Sequence, residues 1–183
     1  MKKSHHMILT LTLVGVLSSG ALVGVYNYTY PRIEVNKKKA LEEAIFQVLP
    51  EATDFESISR DKMEIYRGID SSGKVVGYAF VGEGPGYQGT IRVMIGVDPD
   101  IRRTLGIQVL ESVETPGLGQ KITTLSFRRQ FENLDVRSPV QLVKKEVTGE
   151  GQVQAITGAT ISSQAVVDIV NSTTARVREL LGK

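Results

Sequence analysis

From Met7 to Tyr30 the chain runs through 24 residues without a formal charge, rich in Leu, Val, Ile and Gly. As a helix rising about 1.5 Å per residue, this stretch reaches roughly 36 Å, enough to cross a hydrocarbon layer of about 30 Å with some tilt. Tyr26, Tyr28 and Tyr30 gather at its C-terminal end, where amphipathic rings favour the headgroup layer, and Pro31 is expected to interrupt the helix there. The pattern predicts an N-terminal tail and membrane anchor over residues 1–31 and one folded domain over residues 32–183. Lys2 and Lys3 ahead of an apolar run also open cleaved signal peptides, but the stretch is long and no A-x-A site follows it, which favours a retained anchor. Charge leaves the orientation open, because Lys2 and Lys3 on one side face Arg32 and Lys37 to Lys39 on the other.

Beyond Pro31 the periodicity changes. Leu41, Ala44, Ile45, Val48 and Leu49 recur at helical spacing, predicting a helix that ends near Pro50. Met63 to Ile69 and Lys74 to Val81 have strand character, and Asp70-Ser71-Ser72-Gly73 between them is turn chemistry. Thr90 to Val97 and Leu105 to Val113 form a second pair across Asp98-Pro99-Asp100. Strands joined this closely pair antiparallel. A short helix is predicted around Thr124 to Asn133 and a strand near Val140 to Val147. A final helix from about Ile161 carries Ala165, Ile169 and Val177, with Val166, Val170 and Leu181, on one side. The predicted class is α+β, a mainly antiparallel sheet packed by helices.

Composition narrows the chemistry. Lys and Arg number 22 against 20 Asp and Glu, and Lys2 and Lys3 account for the whole excess, so the domain itself is neutral. That balance excludes the basic footprint of a nucleic-acid binder. The chain has no cysteine, and its two histidines, His5 and His6, lie beside the N-terminus. Disulfides, thiolate metal sites, cysteine nucleophiles and histidine-based triads are therefore excluded from the domain. Any chemistry must come from hydroxyls, carboxylates, amides or a cofactor.

Three strings stand out. Gly84-Pro85-Gly86-Tyr87-Gln88-Gly89 formally matches a dinucleotide fingerprint, but a strand rather than a helix follows it and Pro85 lacks an amide hydrogen, so it reads as a bend between strands. In Glu114-Thr115-Pro116-Gly117-Leu118-Gly119, Pro116 and Gly117 suit a type II turn that would expose backbone amides and the Thr115 hydroxyl. Turn formation alone explains that pair equally well. Thr157-Gly158-Ala159-Thr160 leads into the last helix, where hydroxyls serve either as caps or beside a phosphate held by free amides and the helix dipole. No Walker lysine is present, which argues against nucleotide triphosphate hydrolysis.

Taken together, the strings at 114–119 and 157–160, the glycine turn at 84–89 and the single N-terminal span resemble the FMN-binding-domain family. These are the flavin subunits of bacterial Rnf and sodium-pumping NADH:quinone reductase complexes. The resemblance covers nearly the whole chain. It implies that Thr160 carries FMN through a phosphoester bond, attached by a separate flavin transferase that takes the FMN moiety from FAD. It further implies that Glu114, Thr115, Gly117, Leu118 and Gly119 line the isoalloxazine pocket, while Thr157, Gly158 and Ala159 surround the phosphate. The transferase pattern commonly begins with Asp three residues before the string, where this chain has Gln154, a departure that bears on modification efficiency. By the same resemblance the N-terminal tail is cytoplasmic and the domain faces the periplasm or cell exterior from a bacterial inner membrane. Its expected role is electron transfer in an Rnf-type ferredoxin:NAD⁺ oxidoreductase, beside partner subunits that hold the ferredoxin and NAD sites, and it is not expected to be catalytic alone. The sodium-pumping quinone reductase branch and a flavin-free anchored scaffold are the rival expectations.

Overall fold

A computed structural model describes residues 2–58, 60–61 and 63–183. The chain falls into two units that meet in sequence between Ala40 and Leu41. Helix α1 (Lys2–Val48) runs past this boundary, so that its last two turns belong to the second unit; its part in the first contains the apolar segment, whose most apolar 18-residue stretch has a mean hydropathy of 2.1 and buries nothing within the protein. The helix is long and apolar enough to span a membrane. Contrary to expectation, Pro31 does not interrupt it. Proline removes one backbone donor, but the flanking turns remain bonded, and Thr29 Oγ1 donates to the Val25 carbonyl at 2.9 Å. Nearby, Arg32 Nη2 donates to the Tyr28 hydroxyl at 2.8 Å.

In the second unit, five strands form a sheet in sequential order: β1 (Asp54–Ser57), β2 (Ile65–Ile69), β3 (Val75–Pro85), β4 (Thr90–Val97) and β5 (Thr104–Glu111). Every neighbouring pair is antiparallel. The two-residue period of a strand sends Phe80, Val93 and Ile95 to one face and Ala79 and Met94 to the other. On the first face lies α3 (Thr160–Leu181), whose Val166, Ile169, Val170 and Val177 complete the larger core. On the second lies the last turn of α1, through Ala44, Ile45 and Val48, with Leu49 after it. Strand β4, between β3 and β5, is therefore buried on both sides over most of its length.

Local chemistry sets the turns. Asp70 Oδ1 accepts hydrogen bonds from the backbone of Ser72 and Lys74, and Gly73 takes φ +83°, closing the β2–β3 hairpin. Asp98 Oδ1 likewise accepts from the amides of Arg102 and Arg103 before β5.

Two predicted elements differ. The helix expected over 124–133 is reduced to α2 (Leu125–Arg128), flanked by 3₁₀ turns at Gly119–Thr123 and Arg129–Phe131. Ile122, Phe127 and Phe131 all point into the core, and short 3₁₀ segments aim them there. The strand expected over 140–147 is only β6 (Gln141–Val143), paired parallel with β7 (Gln152–Gln154). Lys144 to Val147 is exposed and has no face to bury. The edge strand β1, too short and polar to show periodicity, was not anticipated.

Candidate functional site

Three segments far apart in sequence converge at one end of the sheet: the β3–β4 turn, the loop after β5, and the start of α3. Between them lies a cavity of about 430 Å³, walled in part by Glu114, Thr115, Leu118 and Gly119 from the loop and by Gly158, Ala159 and Thr160 from the helix start. The remaining predicted residues, Gly117 and Thr157, lie in the two turns that shape this wall. At the first, Leu118 N–H donates to the Thr115 carbonyl at 3.2 Å and Gly117 takes φ +76°, the geometry of a type II turn. At the second, Ala159 N–H donates to the Ile156 carbonyl at 2.9 Å and Gly158 takes φ +81°.

Tyr87, Ile161 and Ser162 also line the cavity and were not anticipated as site residues. Tyr87 sits in the glycine-rich string that the sequence explains as a bend, and it is a bend: Gly86 N–H donates to the Gly89 carbonyl at 2.7 Å. Tyr87, Leu118 and Ile161 nonetheless expose 65%, 47% and 60% of their surface, and Val113 nearby is exposed as well. An apolar rim of this kind on an otherwise well-buried domain suits a planar ligand.

No side chain caps the start of α3, so the capping reading of the string does not hold. The N-cap of α3 is Ala159, which offers no side-chain oxygen. Ser163, one turn in, spends its hydroxyl within the chain, accepting from Ile156 N–H at 3.1 Å and donating to the Ala159 carbonyl at 3.0 Å. Thr160 is the first residue of the helix and is exposed, so it does not serve as the cap. The first turn of any helix presents amide hydrogens without intrahelical acceptors, and here they border the cavity.

Residues 86–175 match the model of the FMN-binding domain. The chain is 37% identical over 179 residues to the G subunit of the ion-translocating oxidoreductase complex of Methanosarcina acetivorans, covering 93% of each chain. The chain belongs to the family of these G subunits. It is also 34% identical over 182 residues to the G subunit of the Na(+)-translocating ferredoxin:NAD(+) oxidoreductase complex of Acetobacterium woodii, covering 89% of this chain and 86% of the relative. Among solved structures, NqrC of Shewanella oneidensis shares the fold at a TM-score of 0.59 and 22% identity, covering 70% of this chain and 68% of the other.

For a G-type chain with an FMN-binding domain, the cavity fits its cofactor in three respects. Its volume falls within the usual range of about 300–1,000 Å³ for small-molecule sites. The exposed apolar rim matches a flat ring, and the uncapped helix start matches a phosphate.

Glu114 departs from the simple role of a ring contact. It is 4% exposed. Its Oε1 accepts from the amides of Tyr87 at 2.7 Å and Gln88 at 3.0 Å, and its Oε2 accepts from the Ser162 hydroxyl at 2.5 Å. Burial pushes its carboxyl upward, but the donors at Ser162, Gln88 and Tyr87 outweigh burial and hold it below the ordinary value of 4.5. With the folded value depressed, the stabilisation is present above the unfolded value and is lost as pH falls through the folded one. Thermal melts from about pH 7 down to pH 3 are expected to show an acid limb that is shallower in Glu114→Gln than in the unaltered chain.

Proposed function

We propose that this chain is the membrane-anchored electron carrier of an Rnf-type ferredoxin:NAD⁺ oxidoreductase that couples electron flow to ion translocation, with FMN esterified to Thr160 Oγ1. The observation that carries the reading is the placement of Thr160 on the cavity wall, as the first residue of a helix whose N-cap is an alanine. The amides of this first turn and the helix dipole would hold the phosphate, with Leu118, Tyr87 and Ile161 against the ring. When bound, the flavin supplies the electron-accepting and electron-donating chemistry, and the protein supplies position and electrostatics.

A helix N-terminus favours an anion by only about 0.3–1 kcal/mol, too little to retain a nucleotide by itself. A covalent bond removes that limit. The alcohol needs a base to attack phosphorus, and the domain has no histidine to serve as one; by the family resemblance a separate flavin transferase makes the ester. The new bond joins the Thr160 oxygen to the FMN phosphorus of FAD as the pyrophosphate bond breaks; AMP leaves, and the hydroxyl proton is lost.

In this reading α1 anchors the chain and residues 32–183 face the extracytoplasmic side, where other subunits of the complex are the partners. The relatives' names include both a Na(+)-translocating and a proton-translocating complex, so the coupling ion is not carried over. The sodium-pumping NADH:quinone reductase is the second reading. The C subunit of the Na(+)-translocating NADH-quinone reductase from Parabacteroides distasonis matches at a TM-score of 0.56 and 28% identity, but over 63% of this chain and 61% of its own. The fuller coverage by G subunits favours the Rnf-type assignment.

Trypsin should release residues 146–176 as one peptide, because Lys145 and Arg176 bound a stretch without Lys or Arg. Mass spectrometry of this peptide from native membranes is expected to show a riboflavin phosphate ester, with fragmentation placing it at Thr160. Recovery of only the unmodified peptide would overturn the covalent assignment.

A further inference from the structure

Among the described residues, the carboxylate of Glu114 is the one charge enclosed at the junction of the three segments that build the cavity. It ties the β3–β4 turn to the first turn of α3 through three donors. Two glycines leave room for this junction. A Cβ on Gly86 would lie 2.4 Å from Glu114 Oε1, and one on Gly119 would lie 2.5 Å from Oε2 and 2.6 Å from Ser162 Oγ. Neither glycine lies among those with positive φ, so close approach is the reason for their small size. Ser162 is itself 2% exposed, and its hydroxyl serves the carboxylate.

We propose that Glu114 is a positioning residue with two separable effects: its length latches the loop 114–119 onto α3, and its fixed negative charge at the cavity wall makes the bound flavin harder to reduce. The second effect rests on the flavin reading of the cavity. A buried anion in the cavity wall would oppose the arrival of electrons on a flavin held in that cavity, and low local polarity would strengthen the opposition. The latch acts through geometry, because a side chain one methylene shorter does not carry the carboxylate far enough from the loop backbone to meet both the turn amides and Ser162.

Two variants of the full-length, flavin-loaded chain in detergent separate these effects. Glu114→Gln keeps the length and an acceptor oxygen but removes the charge. It is expected to raise the flavin midpoint potential, followed by spectroelectrochemical titration, while the rate of trypsin cutting after Lys121 changes by less than about threefold. Glu114→Asp keeps the charge but loosens the latch. It is expected to hold the midpoint near that of the unaltered chain while cutting after Lys121 accelerates about tenfold, the equivalent of roughly one hydrogen bond. An unchanged midpoint in Glu114→Gln, or an equal shift in both variants, would overturn the electrostatic effect. An unchanged cutting rate in Glu114→Asp would overturn the latch. Should the unaltered chain carry no flavin, the functional reading fails along with the electrostatic effect, and the cutting rates still decide the latch.

Discussion

Thr160→Ala is expected to leave the membrane-expressed chain dark on a denaturing gel under ultraviolet light, where the unaltered chain fluoresces. The ester needs a side-chain oxygen at that position, and alanine has none. The helix itself should survive, because alanine has the higher helical propensity and Thr160 is exposed. Thr160→Ser is expected to retain part of the label, since a hydroxyl remains. Thr157→Ala is expected to fluoresce, because Thr157 lies in the turn over 156–159, outside the first turn of α3. Equal labelling of Thr160→Ala and the unaltered chain would place the bond on another residue.

The largest expected loss of stability lies away from the cavity, at Gly96→Ala. Gly96 on β4 faces the end of α1 so closely that a Cβ there would lie 2.2 Å from the Val48 carbonyl oxygen and 2.8 Å from the Val48 Cβ. The obstructing atom belongs to the backbone, so no side-chain rotation relieves it. Overpacking of this kind costs about 1–3 kcal/mol, and the upper end is expected here. That is a large share of the roughly 5–15 kcal/mol that holds a domain together. Gly106, its partner on β5, provides the control. A Cβ there meets only the Val48 Cα, at 3.9 Å, so Gly106→Ala is expected to change stability by less than about 0.5 kcal/mol. Chemical denaturation of the three chains side by side measures both effects.

Patterns that arise from one element were legible in the sequence. The alternation of β3 and β4, the turn chemistry at Asp70 to Gly73 and the apolar stripe of α3 each reflect local geometry. The type II turn at Pro116-Gly117 was equally readable, because proline and glycine restrict φ whatever surrounds them. Readings that depended on distant partners fared differently. Glu114 belongs to the predicted pocket, yet its carboxylate is engaged by Tyr87, Gln88 and Ser162, which lie 27, 26 and 48 residues away. No spacing rule connects those positions. Tyr87 was passed over because a glycine-rich bend explains its surroundings without assigning its ring a task. The parallel pairing of β6 with β7 joins two three-residue strands, too short to show any period. At Pro31 the helix continues, because the one missing hydrogen bond is tolerated within a long helix.

The alanine at the head of α3 has a consequence for the life of the protein. A helix that begins without its usual oxygen gives up about 1 kcal/mol, and the phosphate ester proposed at Thr160 would supply the acceptor that the chain omits. On that reading maturation would also be a structural repair: chains carrying the cofactor would outlast those still waiting for it, and ordinary turnover would enrich the population in working carriers.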